Sequence, residues 1–146
     1  MAKKLGNDYR LWIESATPGT YNMIKGQQDL SWNQSGGAID TSTKDDFPYG
    51  TQGPGLRSIS IPYNLLADLP DANGYTRMET LSNAAVATPF NIQIRKGGSA
   101  GVTPGDVVFA CSVYNTDFNV SAGQNDSVKA TGTLVAAAAP TINALA

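Results

Sequence analysis

The stretch LSWNQSGGAIDTSTKDD, residues 30–46, decides how the chain is read. It opens as a strand and reaches Gly36-Gly37, a dipeptide that signals a turn. It then sets down Ala38-Ile39-Asp40-Thr41-Ser42. Lys44, the carboxylates Asp45 and Asp46, and the aromatic pair Phe47 and Tyr49 come after it. Surface loops are normally polar and mobile, whereas here apolar hooks at Ile39, Phe47 and Tyr49 alternate with short hydrogen-bonding side chains. The segment therefore reads as a loop that lies on another surface. Asp40 fits a turn position, its carboxylate bonding nearby backbone N–H groups. The next stretch, PYGTQGPG at 48–55, is too rich in Gly and Pro for regular structure, which predicts one long loop over 36–55. Its glycines do not make a phosphate cradle, because that needs a helix directly afterwards. The chain instead continues as the alternating strand LRSISIPY, with Leu56, Ile59 or Ile61 packing and Ser58 and Ser60 outward.

Outward from that loop the chain is a succession of short strands. DYRLWIES at 8–15 alternates Tyr9, Leu11 and Ile13 against Arg10, Trp12 and Glu14, the mark of a half-buried strand. Trp12 on the polar side serves either a protein contact or a second packed layer. Residues 20–25 and 29–35 read as two strand halves parted by a bend at Gly26. Pro70 to Gly74 supplies loop and helix-start chemistry. A helix is predicted over 75–87, where Tyr75, Met78, Leu81 and Ala85 recur on one face. Thr88-Pro89 ends it. Residues 90–96 alternate Phe90, Ile92 and Ile94 inward with Asn91, Gln93 and Arg95 outward, and 97–105 is a loop.

Residues 106–115 form the most apolar strand, hence a central one, with Val107, Phe109, Cys111 and Val113 on one face. Strands at 118–122 and 126–135 are joined by a hairpin turn at Gly123-Gln124-Asn125. In the last of these Val128, Ala130, Gly132 and Leu134 oppose Ser127, Lys129, Thr131 and Thr133. Residues 1–7 and 136–146 read as terminal arms, the latter ordered only if a partner covers it. The fold class is mostly β: one domain over 1–146, sandwich or barrel-like, with a single flanking helix and the long loop.

Composition narrows the function. With 146 residues the chain is one domain by length. Charged residues make up only 15%, against about 25% in ordinary domains, a profile that suits a surface covered by other copies. The net charge of −2 argues against a module that grips nucleic acid through phosphate neutralisation. No secretory leader pattern comes after Met1, and no apolar run reaches the ~18 residues of a membrane span. A cytoplasmic start and no membrane partner are therefore expected. The single cysteine, Cys111, precludes an internal disulfide and reads as a small core hydrophobe.

There is no histidine, which removes Ser-His and Cys-His nucleophile pairs and the usual catalytic zinc sets. Asp45-Asp46 is the obvious carboxylate pair, but neighbours on a loop hold no fixed separation for glycoside chemistry. No enzymatic activity, cofactor or metal is expected. The Asn-x-Ser triplets at 33, 119 and 125 are chance matches in a Ser- and Asn-rich chain.

Several spaced fragments resemble the tail tube proteins of long-tailed, non-contractile bacterial viruses. They are Leu11-Trp12-Ile13, Asp29-Leu30-Ser31-Trp32, Ile39-Asp40-Thr41, Leu56-Arg57-Ser58-Ile59-Ser60, Asp68-Leu69-Pro70 and Phe90-Asn91-Ile92. The likeness spans residues 11–134. The alanine-rich C-terminus departs from the many relatives that carry an extra surface domain there. The resemblance implies a virion structural protein, assembled in the host cytoplasm into homohexameric rings that stack helically into a DNA conduit. It implies a subunit interface built from Trp12, Ile39, Asp40, Thr41, Asp45, Asp46, Phe47 and Tyr49. It also implies contacts with a tape measure in the lumen and with tip and terminator proteins, while genomic DNA passes without specific binding.

With about four strands from each of six subunits, some ~24 strands at ~4.8 Å spacing and ~40° tilt give a backbone diameter of roughly 48 Å. Closure on that scale removes free strand edges. Glu14 and Asp29, each opposite a packing face, are the carboxylates expected to line the bore. Two other classes fit the same composition. One is a tube protein of a contractile tail or secretion system. The other is a carbohydrate- or receptor-binding sandwich of a virion fibre, for which Trp12, Trp32, Phe47 and Tyr49 would supply an aromatic rim.

Overall fold

Alternating apolar residues build one antiparallel sheet in the computed structural model, which describes residues 6–45, 48–84, 88–96 and 107–144. A 3-10 turn at Gly6–Asp8 leads into β1 (Arg10–Glu14), β2 (Tyr21–Met23), β3 (Gln27–Leu30), β4 (Asn33–Asp40) and β5 (Gln52–Leu66). Helix α1 (Tyr75–Ser82) precedes β6 (Phe90–Arg95), β7 (Val107–Ser121), β8 (Lys129–Ala136) and β9 (Ile142–Asn143). The order across the sheet is β2-β1-β6-β7-β8-β5-β3, with β4 paired to β5 and β9 to β7. The mostly-β class with one helix agrees with the residue patterns.

The strand pair around Gly26 does not. Residues 20–25 and 29–35 are not halves of one strand: β2 and β3 stand at opposite ends of the sheet order although only a short turn separates them. The sheet is rolled so that its ends meet. Gly26 makes the turn with φ +77°, and a Cβ there would collide with the Leu66 carbonyl, which leaves glycine as the residue that fits.

The meeting edges are joined by a side chain. Gln27 Oε1 accepts the Leu11 backbone N–H at 2.8 Å, and Gln27 Nε2 donates to the carbonyls of Leu11 at 2.8 Å and Ile24 at 2.7 Å. One amide side chain thus takes the place of a backbone ladder step and satisfies groups that would otherwise be buried without partners.

Inside the roll, Leu11, Ile13, Ile61, Ile92, Ile94, Phe109, Val113 and Leu134 form one core. The inward positions expected on β1 and β6 are found there. On β5 the packing begins at Ile59; Leu56 is 95% exposed and not a core residue. Val128 is likewise exposed, whereas Ala130 and Leu134 of the same face are buried.

Helix α1 packs on this core side through Tyr75 and Met78, and Leu81 is only half-buried. Its predicted extension over 85–87 lies outside the described residues. The Asp71 carboxylate accepts from the Lys25 and Tyr75 N–H groups at 3.0 and 3.1 Å, tying the helix start to the Gly26 turn. Arg77 Nε donates to the Glu14 carbonyl at 2.6 Å. A polar chain fixes the other end. The Tyr63 hydroxyl donates to Asn115 Oδ1 at 3.0 Å, Asn115 Nδ2 to Ser82 Oγ, and Ser82 Oγ to the Met78 carbonyl at 2.7 Å. Gly132 leaves room for the Tyr63 ring, whose hydroxyl a Cβ there would strike.

Two further expectations are corrected. The strands at 106–115 and 118–122 are one strand, β7, with a register irregularity between Asn115 and Asp117. The C-terminal segment does not wait for a partner: Ala137, Thr141 and Ala144 donate backbone bonds of 2.8–2.9 Å to Ser112, Ala110 and Val108 of the chain's own β7. β8 stops short of that apolar half of β7, so the tail completes its hydrogen bonding.

Replacing Gln27 with Ala takes away the partner of the Leu11 N–H and leaves the Leu11 carbonyl only its bond from the Ile24 N–H, and is expected to cost about 1–3 kcal/mol in urea unfolding of the monomer. Burial, reinforced by the Glu79 carboxylate, pushes the Tyr75 phenol up to about 12; burial also pushes Tyr63 upward. Both therefore fold neutral. Their contribution is whole below the unfolded value near ~10 and is lost as pH rises through the folded one. Thermal melting is accordingly expected to fall between pH 10 and 12, and to fall less in Tyr75→Phe.

Candidate assembly surface

Where a long loop was expected, the chain builds a hairpin. Every residue of β4 is exposed, and β4 pairs in antiparallel register with β5 from Asn33–Ser60 out to Asp40–Gln52. Gly36-Gly37 does not turn the chain; the strand runs through it with a register shift between Gly36 and Ala38. Glycines serve close approach instead, since a Cβ on Gly55 would lie 2.7 Å from the Gly37 carbonyl oxygen. Residues 52–55 are regular strand despite Pro54, which is tolerated where a strand edge needs no donor. The inner half of the same strand is core, with Ile59, Ile61, Tyr63 and Leu65 buried. The projecting arm is therefore a direct continuation of a core strand.

Side chains lock its outer end. Thr41 N–H donates to the Thr51 carbonyl at 3.0 Å, and the two threonine hydroxyls are 2.9 Å apart. Ser42 Oγ donates to the Thr51 carbonyl at 3.1 Å and accepts from its N–H at 2.7 Å. Asp40 Oδ1 accepts the Ser42 N–H at 2.9 Å, and that bond holds its carboxyl below the usual range. The turn role expected for Asp40 is the one it has in the structure. Among the described residues, the arm's large apolar side chains are exposed: Ile39 is 58% exposed, Tyr49 85% and Leu56 95%.

The other expected contact residues divide. Asp45 and Thr41 are exposed on the hairpin; Asp46 and Phe47 lie outside the described residues. Trp12 is corrected, because it is only 5% exposed and the Arg95 guanidinium lies 4.6 Å from its ring centroid. On the same face as Trp12, two residues beyond its cross-strand partner Gln93, this arginine lies over the indole and 5.6 Å from the Tyr21 ring centroid. Gln93 Oε1 accepts from Arg95 Nε at 3.0 Å and from Nη2 at 2.8 Å. Arg95 lies on the outward face expected for it but is buried there, and the cation–π stack replaces an open aromatic surface.

Glu14 and Asp29 both lie on the sheet face away from α1 and the core, as the alternation beside Ile13 and Leu30 requires. Glu14 is half-buried, accepting from Asn91 Nδ2 at 3.2 Å and Gly19 N–H at 3.4 Å. Asp29 is exposed at the seam of the roll. Beside it runs a groove of about 420 Å³ lined by Tyr9, Arg10, Trp32 and the residues of β3. The Tyr9 and Trp32 rings stand 6.4 Å apart, centre to centre. A second groove, about 520 Å³, lies at the root of the arm between Arg57, Ile59 and the alanines at 136–139. No residue pattern signalled the first groove beyond the glycine at the Gly26 turn, since strand order decides which edges face each other.

Among the described residues no group of three or more His, Cys, Asp or Glu side chains gathers. Cys111 is buried, and burial pushes its thiol up, the opposite of what a nucleophile needs. Among the described residues no helix is long and apolar enough to cross a membrane. The surface offers contact instead: an exposed arm, two grooves and a polar helix-free face. Hydrogen exchange on monomeric protein is expected to show slowed Thr41 and Thr51 amides, and Ser42→Ala is expected to return the Thr51 amide to rapid exchange.

Residues 4–141 match the family model described as phage tail tube protein. The fold is similar to a chain in the C6-symmetric tail of an empty GTA particle, with a TM-score of 0.74 at 14% identity over 97% of this chain and 100% of that one. A chain in the virion of the native gene transfer agent particle gives the same values. The SPP1 tail tube gives a TM-score of 0.69 at 15% identity over 92% of this chain and 76% of that one. No curated protein sequence matches.

Proposed function

Because the chain belongs to the phage tail tube protein family and is a structural protein of the virion tail, we propose that its copies close into six-membered rings that stack into the tube of a long, non-contractile tail. The observation that carries this reading is the arm. A core strand runs on into a paired ribbon on which Ile39, Tyr49 and Leu56 are exposed, and such surface calls for a partner. The C6 symmetry of the similar GTA tail supports a second copy as that partner, and a sheet with a helix-free face suits a tube wall. The arm then reaches a neighbouring subunit or ring, with Ile39, Asp40, Thr41, Asp45, Asp46, Phe47 and Tyr49 at the contact. Assembly takes place in the host cytoplasm around a tape measure, between tip and terminator proteins.

The helix-free face is turned to the bore, with Glu14 on the wall and Asp29 at its rim. DNA carries one charge per ~1.7 Å, so a basic wall would hold it and an acidic or neutral one lets it slide. Each such residue recurs around the ring, and a single substitution changes a whole collar. Particles with Glu14→Lys tubes are expected to eject DNA slowly at low salt and to recover as salt is raised. Normal ejection at low salt from verified mutant tubes would take this carboxylate off the lumen. Hollow filaments of purified protein in negative stain test the tube itself; monomers at every concentration would end the reading.

A further inference from the structure

The groove at the seam of the rolled sheet is a built cleft for which the single chain supplies no filling. Its walls bring an aromatic pair, Tyr9 and Trp32, beside one cation, Arg10, and one carboxylate, Asp29. The tip of the arm carries the reciprocal set on exposed positions: Tyr49, Asp45 and Lys44. Geometry prevents the two from serving one another within a chain by any small motion. The tip is held at the far end of the β4–β5 ribbon by the Thr41–Thr51 and Ser42–Thr51 bonds, and the ribbon's direction is fixed by the buried half of β5.

We infer that this groove receives the hairpin tip of a second copy, Tyr49 packing against the Tyr9–Trp32 pair while Asp45 meets Arg10 and Lys44 meets Asp29. The inference rests on the tube reading and names the docking site within it. A cleft of about 420 Å³ lies in the range that accepts one large side chain with its neighbours. An aromatic ring buries roughly 150–250 Å² and prefers tilted aromatic company. The crossed charges fix which way round the tip enters and add more to specificity than to affinity. The alanine-lined groove at the arm's own root has Arg57 but no aromatic wall and no carboxylate, so it lacks the reciprocal set.

Disulfide trapping in assembled filaments tests the assignment. Lys44→Cys combined with Gln28→Cys, an exposed position in the groove, is expected to give a ladder of cross-linked chains under oxidation. Lys44→Cys combined with Ala139→Cys, at the other groove, is expected to remain single chains. Cys111 is buried and does not compete. A ladder from the Ala139 pair, or from neither pair, overturns the site while leaving the tube intact. Tyr49→Ala provides a second readout. It is expected to raise the concentration needed for filament growth about tenfold without moving the monomer melting temperature. An unchanged assembly threshold contradicts the inference, and a wild-type protein that forms no filaments removes this inference together with the tube.

Discussion

The Gln27 side chain carries a burden usually given to backbone. The sheet closes on itself where its amide bonds both polar groups of Leu11 and reaches Ile24. Without that bridge, two strand edges meet inside the fold with buried donors and acceptors unsatisfied. Gly26 permits the approach, and the Asp71 carboxylate anchors the adjoining Lys25 amide to the start of α1. Closure by one side chain instead of a full ladder leaves the seam partly open beyond Gln27. The groove beside Tyr9 and Trp32 is the consequence of closing a roll this way.

A second constraint comes from β5. Fifteen residues long, it is core over Ile59–Leu65 in alternation and exposed ribbon over its outer half. Rigidity in the buried half is transmitted to the arm as a fixed direction, and the threonine–serine clamp at Thr41, Ser42 and Thr51 extends that order to the tip. An arm preordered in this way loses less conformational entropy on docking than a flexible loop would. The apolar side chains left in water on it are the counterpart, and in the proposed tube other copies cover them.

Alternation made β1, β6 and the inner half of β5 legible in the sequence, because Leu11/Ile13, Phe90/Ile92/Ile94 and Ile59/Ile61 each face one buried side. The helix start was legible from turn chemistry and the Tyr75/Met78 stripe. The arm was not. Gly36-Gly37 and the Gly- and Pro-rich 48–55 carry turn residues, but a solvated two-stranded ribbon buries neither face and so shows no alternation to outweigh them. Trp12 was legible as outward and illegible as covered, since which side chain of a neighbouring strand reaches over it depends on long-range pairing. Strand order was hidden for a similar reason: that β2 and β3, neighbours in sequence, lie at opposite ends of the sheet depends on long-range pairing. Glu14 and Asp29 fall on the face their alternation gives them, and what that face meets is a property of the assembly.

Helical reconstruction by cryo-electron microscopy of filaments grown from the purified chain tests that assembly in a single density map. The expected map is a hollow six-fold tube with α1 on the outside, the helix-free face on the bore, and each hairpin arm crossing into the neighbouring copy. A tube with α1 lining the bore, or one in which the arm folds back on its own subunit, would contradict it.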